Sequence, residues 1–196
     1  MKTLSEIDTT AKPVNWSNVV SIGASAAGNI KSWFINRFHS KIVPKDIDLV
    51  VSSIGGTATT SLIEFLSQYF ITNDECDRDN LKHSRRYKLT DSQKVIFIIP
   101  EPEIAYKSLK RRKYLYLNCR KLGLISYFIR IKSLFIKEID TIQANMEMLC
   151  KRYPHKYLAI KFDDLFDSAK IIMDFTNLKD DEFIKRFPKR KKRISK

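Results

Sequence analysis

The sequence predicts an α/β fold, in three layers, with helices on both faces of a parallel sheet. Three short apolar, β-branched runs at residues 47–52, 94–99 and 157–162 are typical of buried strands. The segments between them carry apolar residues at helical spacing, and 196 residues suit a single core. Strands that alternate with helices imply right-handed crossovers and a parallel sheet, whose ligands bind beyond the carboxyl ends of its strands.

The first 45 residues are predicted to be an N-terminal arm followed by an amphipathic helix. Residues 1–18 show no period, whereas apolar side chains then recur at helical spacing, at Ile30, Trp33, Phe34 and Phe38. Between these segments, residues 19–28 run from apolar positions into small residues bounded by glycines. We interpret them as a turn, since Ser25 replaces the middle glycine of a dinucleotide-binding fingerprint.

The clearest sequence signal comes from the first predicted strand and from the loop and helix that follow it. The loop contains only small residues, at Gly55, Gly56, Thr57, Ala58, Thr59 and Thr60. Adjacent glycines let main-chain N–H groups turn inward, and the helix adds its positive N-terminal end, so the loop is suited to hold a phosphate. The alternative is a plain strand-to-helix turn with a threonine N-cap.

The remaining elements follow in order. The second strand ends at Pro100, and a helix with a basic cluster is predicted from Ile104 to Leu117. A longer helix over residues 136–149 leads to the third strand, after which Asp163 and Asp164 are expected to cap the last helix. We therefore predict an arm and helix over residues 1–45, an α/β domain over 46–180 and a basic tail over 181–196.

Charge and cysteine content restrict the class of protein. The formal net charge of +14 favours anionic partners, and part of the excess lies in residues 185–193. Three separated cysteines argue against a disulfide framework or a zinc site, and we expect no metal. A polar N-terminus and the lack of a long apolar run predict a cytoplasmic protein with no transmembrane segment.

The loop is not a Walker A motif, because the lysine before the Ser/Thr pair is missing. Residues 51–62 instead resemble the 5′-phosphosulfate loop of sulfotransferases, which commonly ends in Ser-Gly-Thr-Thr. Residues 94–102, which lead to Ser108, Arg111 and Arg112, look like the strand and helix that hold the 3′-phosphate in that family. Residues 157–165 resemble its late strand with an aromatic-acid-Asp-Leu ending.

The resemblance implies a P-loop nucleoside-triphosphate-hydrolase-like fold and 3′-phosphoadenosine 5′-phosphosulfate as the donor substrate. The sulfuryl group would pass to a hydroxyl or amine of a glycan or small molecule. The chain departs from the family at two positions: Gly56 stands where many sulfotransferases have a basic residue, and Pro100 stands where they usually have an arginine. Arg111 and Arg112 would then have to supply the charge that holds the 3′-phosphate.

Candidate catalytic residues lie in the segment from Asp77 to His83, where some sulfotransferases present active-site groups. His83 can exchange protons near neutral pH, and Lys82 can stabilise a bridging oxygen. The alternative for His83 is a solvent-facing loop histidine.

Two further functions stay open at this point. One is a non-catalytic descendant of the fold that binds an anionic ligand or partner. The other is nucleic-acid binding, because Tyr106, Tyr114 and Tyr116 interleave with the basic residues 107–113, although core packing also accounts for these tyrosines.

Overall fold

The computed structural model of this chain describes residues 16–55 and 58–190. Gly56 and Thr57 of the predicted phosphate loop therefore lie outside the described residues, as do residues 1–15 and 191–196.

The described strands form two small parallel sheets. The strands are β1 (Lys41–Ile42), β2 (Leu49–Ser53), β3 (Tyr87–Lys88), β4 (Lys94–Ile99) and β5 (Tyr157–Lys161). The central sheet has the order β2-β4-β5, with Val50 opposite Val95 and Ile98 opposite Ile160. The three predicted strands and their parallel arrangement are confirmed. The pairing of β1 with β3 was not predicted, because a strand of two residues leaves no periodic pattern.

Helices connect the strands and cover the central sheet. They are α1 (Trp16–Phe38), α2 (Thr59–Leu66), α3 (Pro102–Arg111), α4 (Leu115–Lys121), α5 (Ser126–Ile129), α6 (Lys132–Arg152), α7 (Ala169–Thr176) and α8 (Glu182–Arg186), with a 3₁₀ helix at Phe162–Asp167. The described chain is thus a mixed α/β protein.

Two groups of buried side chains lie on opposite faces of the sheet, because successive strand residues point to opposite sides. Val50 and Phe97 pack on one face with residues of α3 and α6. Val51 and Ile96 pack on the other face with residues of α2, α7 and α8. The central strands are therefore buried on both faces, which explains their nearly continuous apolar sequence.

Three local predictions are wrong. Residues 19–28 are part of α1 rather than a turn; small residues, including Gly28, are compatible with a continuous helix. The helix predicted over residues 104–117 is two helices, α3 and α4, because Lys113 adopts a left-handed conformation (φ 62°) between them. Asp163 and Asp164 lie in the 3₁₀ helix, and Ser168 rather than either aspartate precedes α7.

The helix α1 docks on the turn between α4 and α5. The indole of Trp33 donates to the carbonyl of Leu124 (2.7 Å), and Arg37 donates to the carbonyl of Gly123 (2.9 Å). A Cβ at position 123 would lie 2.6 Å from the backbone of Arg37. Gly123 therefore permits this close approach.

The described chain continues beyond α7 into α8, which packs on α2. The aromatic rings of Phe183 and Phe187 are buried beside Phe65, with centroids 5.1 and 5.4 Å away. The core on this face thus includes residues up to position 187.

Candidate functional site

A cleft of about 280 Å³ lies beyond the carboxyl end of β2, where a parallel sheet is expected to bind its ligands. Three segments line it: the start of α2, residues 76–83, and the junction of α3 with α4. The described lining residues include Thr60, His83 and Arg112. The cleft thus contains residues from each of the three groups singled out in the sequence.

The loop after β2 makes a tight turn that requires glycine. The backbone N–H of Gly55 donates to Oγ of Ser53 (3.2 Å), and its φ is 103°. A Cβ at this position would lie 2.2 Å from Nδ2 of Asn118 on α4. Gly55 therefore serves both the backbone conformation and the approach of α4 to the loop.

Helix α2 begins directly after this loop. Its N-cap residue is Ala58, whose side chain makes no capping hydrogen bond, so the threonine N-cap of the alternative interpretation is wrong. Both threonines that begin α2 line the cleft, but Thr59 is buried with its Oγ1 3.4 Å from Oγ of Ser53, while Thr60 is exposed. The two threonines therefore have different surroundings, although nothing in the sequence distinguishes them.

The side chain of Lys82 is only 6% exposed and reaches the start of α2. Its ammonium group donates to Oγ1 of Thr60 and to the carbonyl of Glu75, both at 2.6 Å. Burial lowers the pKa of Lys82, while the nearby carboxylate of Asp77 acts in the opposite direction. A cation is thus held against the loop that was predicted to bind phosphate.

His83 lines the same cleft, and its ring contacts the end of β2. Its Nδ1 lies 2.9 Å from the carbonyl oxygen of Ser53. Because a carbonyl only accepts, Nδ1 carries the proton and Nε2 keeps a lone pair. Burial lowers the pKa of His83, which favours this neutral form near pH 7.

A buried hydroxyl network fixes residues 81–84 beside β2. Oγ of Ser52 contacts the carbonyls of Lys82 and Ser84, and the hydroxyl of Tyr87 donates to Oγ of Ser52 (2.6 Å). The backbone N–H of Ser53 also donates to the carbonyl of Lys82 (2.9 Å). The positions of Lys82 and His83 are therefore set by the sheet.

Asp77 and Lys121 are two site residues to which sequence reasoning assigned no role. The carboxylate of Asp77 accepts the backbone N–H of Lys82 (2.9 Å) and forms an ion pair with Lys121. Asp77 has a left-handed backbone (φ 60°), which aspartate tolerates better than most residues. Lys121 could not be found from the sequence because it is 44 residues from Asp77 in the chain, and only folding brings the two side chains together.

The predicted residues of α3 divide into two groups. Arg112 lines the cleft, and its Nε donates to the carbonyl of Ser108 (3.4 Å). Ser108 is half-buried and Arg111 is exposed, and neither side chain lines the cleft. Of the basic pair, Arg112 is thus the one that lines the cleft beside the start of α2.

The charges on the described lining residues favour an anion. Lys82, Lys121 and Arg112 are cationic, and Asp77 is the one carboxylate among them. Since Asp77 is already paired with Lys121, the remaining two cations carry positive charge into the cleft. Cationic side-chain donors of this kind bind phosphate or sulfate groups.

Comparison of the chain with protein-family models, curated proteins and solved structures gave no match. Among the described residues no group of His, Cys, Asp and Glu is arranged to hold a metal ion. In that same part of the chain, no helix is long and apolar enough to cross a bilayer.

Proposed function

We propose that this chain is a sulfotransferase-like protein whose cleft binds 3′-phosphoadenosine 5′-phosphosulfate. The observation that carries the proposal is the position of Lys82, which donates to Thr60 at the start of the helix after the small-residue loop. In this proposal β2, the loop and α2 form a P-loop-type unit that holds the 5′-phosphosulfate. Arg112 supplies the charge for the 3′-phosphate.

The proposed reaction is an in-line displacement at sulfur. The hydroxyl oxygen of the acceptor, a glycan or small molecule, forms a bond to sulfur while the bond between sulfur and the 5′-phosphate oxygen breaks. Nε2 of His83 accepts the hydroxyl proton, and 3′-phosphoadenosine 5′-phosphate leaves. The lowered pKa of His83 supports this role, because a base must be unprotonated at the working pH.

Lys82 has the second role in the proposal. Two of its three ammonium protons are donated to Thr60 and Glu75, and one remains for an oxygen of the transferring group. A fixed donor of this kind stabilises the negative charge that develops on the bridging oxygen without reorganising during the reaction.

Calorimetric titration with 3′-phosphoadenosine 5′-phosphate tests the donor site. We expect micromolar binding that weakens roughly tenfold or more in Arg112→Ala, because a charge-assisted hydrogen bond contributes about 1.5–3 kcal/mol. Arg111→Ala is the matched control: it removes the same charge from the neighbouring residue, outside the cleft. Equal losses in the two variants, or no binding by folded protein, would contradict the proposal.

Nucleic-acid binding remains the second candidate because of two exposed rings. Tyr114 and Tyr116 are 53% and 44% exposed, whereas Tyr106 packs on Phe135. Core packing, the interpretation that competes with stacking on bases, therefore applies to Tyr106 and not to the other two. Steeply salt-dependent binding of a single-stranded oligonucleotide that is lost in Tyr114→Ala, with no donor affinity, would favour this function.

A further inference from the structure

A second cleft, of about 320 Å³, shares no described lining residue with the donor cleft. It lies between α6 and residues 85–87, and its volume falls within the range of small-molecule sites. One side is lined by Arg85 and Arg86, and the other side is largely apolar.

The cationic side lacks a counter-ion among the described residues. Neither Arg85 nor Arg86 forms an ion pair in this part of the chain, and Nε of Arg85 is buried without a hydrogen-bond partner there. Arg85 donates to the backbone carbonyl of Arg37, and the charge of the Arg37 guanidinium acts on Arg85 as well. A half-buried cation beside others of like charge is unfavourable unless an anion compensates it.

The carboxylate whose charge acts on Arg85, that of Glu138, already has other partners. Glu138 pairs with Arg37 (3.4 Å) and accepts the backbone N–H groups of Ile125 (2.7 Å) and Ser126 (2.9 Å). Burial, followed by the charges of Arg86 and Arg37, lowers the pKa of Arg85 to about 10, while the carboxylate of Glu138 acts in the opposite direction. Both observations indicate positive charge that Glu138 compensates only in part.

The opposite side of the cleft offers apolar contact. Ile142 is buried, Met148 is exposed at the surface of α6, and the ring of Tyr157 stacks on Phe97 (5.9 Å between centroids). An inorganic anion would leave this surface uncovered, whereas a ligand with an apolar body would bury it.

We propose that this second cleft binds a small organic carboxylate, with its carboxylate held by Arg85 and Arg86 and its apolar body against Met148 and Tyr157. A guanidinium group presents two parallel N–H donors that match the two oxygens of a carboxylate. The site is independent of the proposed donor cleft.

The probe is 1-naphthoate, titrated by calorimetry against the full chain, with neutral 1-naphthalenemethanol and inorganic phosphate as matched partial ligands. We expect 1-naphthoate to bind at least tenfold more tightly than either. Equal binding of the neutral alcohol would overturn the role of the arginines. Equal binding of phosphate would overturn the role of the apolar side.

The site is located with Asn145→Asp, a nearly isosteric change at an exposed residue of α6 that lines the cleft. The new carboxylate competes with the ligand for the same arginines, so affinity for 1-naphthoate should fall roughly tenfold. Ala144→Asp adds the same charge one residue away, outside the cleft, and should change affinity less than about threefold. Equal effects of the two variants would refute the assignment.

Folding and the donor site are controlled in the same experiment. Arg86→Ala removes one exposed guanidinium, whereas Arg85 also holds the end of α1 and is replaced by lysine instead. Both variants should weaken 1-naphthoate binding and leave titration with 3′-phosphoadenosine 5′-phosphate unchanged. Unchanged affinity for 1-naphthoate in both variants would overturn the proposal.

Discussion

Replacing Gly55 by alanine tests the geometry on which the candidate site depends. The residue has a φ of 103°, which side-chain-bearing residues rarely adopt, and a new Cβ would lie 2.2 Å from Nδ2 of Asn118. Strained backbone of this kind costs about 1–3 kcal/mol, and overpacking costs about 1–3 kcal/mol more. Alanine also has fewer conformations than glycine in the unfolded chain, which offsets about 0.4–1 kcal/mol of this cost. We expect a net loss of about 3 kcal/mol in the free energy of unfolding.

The two contributions can be separated by a double-mutant cycle with Asn118→Ala. That change removes the amide that meets the new Cβ but leaves the backbone angle at position 55 unchanged. Gly55→Ala should then cost only about 1 kcal/mol, so the coupling energy should be about 2 kcal/mol. Urea unfolding followed by circular dichroism measures all four variants.

Equal costs of Gly55→Ala in the two backgrounds would refute the close approach of α4 to the loop. A variant as stable as the parent protein would also refute the left-handed conformation of Gly55. If the loop binds the donor, the variant should in addition lose affinity for 3′-phosphoadenosine 5′-phosphate, because the displaced loop no longer faces the cleft.

Two further predictions concern His83 and Phe183. The pKa of His83 is lowered in the folded protein, so the unfolded chain binds the proton more readily. The free energy of unfolding is therefore unaffected by this group above about pH 6.5. Below that pH it falls by up to about 1.4 kcal/mol per pH unit. His83→Asn keeps a donor for the carbonyl of Ser53 and should lose less stability between pH 6.5 and 5 in urea titrations than the parent protein does. The exposed control is His155→Asn. If the free energy of unfolding fell equally steeply with pH in the two variants, the burial of His83 would be contradicted. Phe183→Ala should lower the free energy of unfolding by about 3–5 kcal/mol, because the ring is fully buried. The adjacent exposed Ile184→Ala should cost about 0.5 kcal/mol or less by thermal unfolding, and a similarly small effect at both positions would show that α8 is not part of the core.

The central sheet could be predicted because its signal is local. Each strand of five or six residues contains a run of at least three apolar residues and ends at a recognisable break, such as Pro100 after β4. The helix boundaries were harder, because Lys113 adopts a left-handed conformation that ends one helix and starts another without a glycine or proline. Residues 19–28 were misread since small residues are common to turns and helices.

The candidate site was predictable only in part. The small residues from Gly55 to Thr60 are adjacent in the chain, and their spacing before an apolar helix suggested an anion site. Asp77 and Lys121 gave no such signal, because a lone acid and a lone base far apart in the sequence resemble ordinary surface residues. Their ion pair exists only because α4 packs against the loop that precedes Lys82.

By itself, the sequence determined the three strands of the central sheet, their parallel direction and the position of the small-residue loop, since these follow from short-range patterns of apolar residues and turns. The tertiary structure decided which of two adjacent arginines lines the cleft, and it placed the ammonium group of Lys82 on Thr60. It also left Arg85 and Arg86 without an ion pair among the described residues. The physical reason is that burial and charge pairing depend on residues distant in the chain, whose proximity is set by packing.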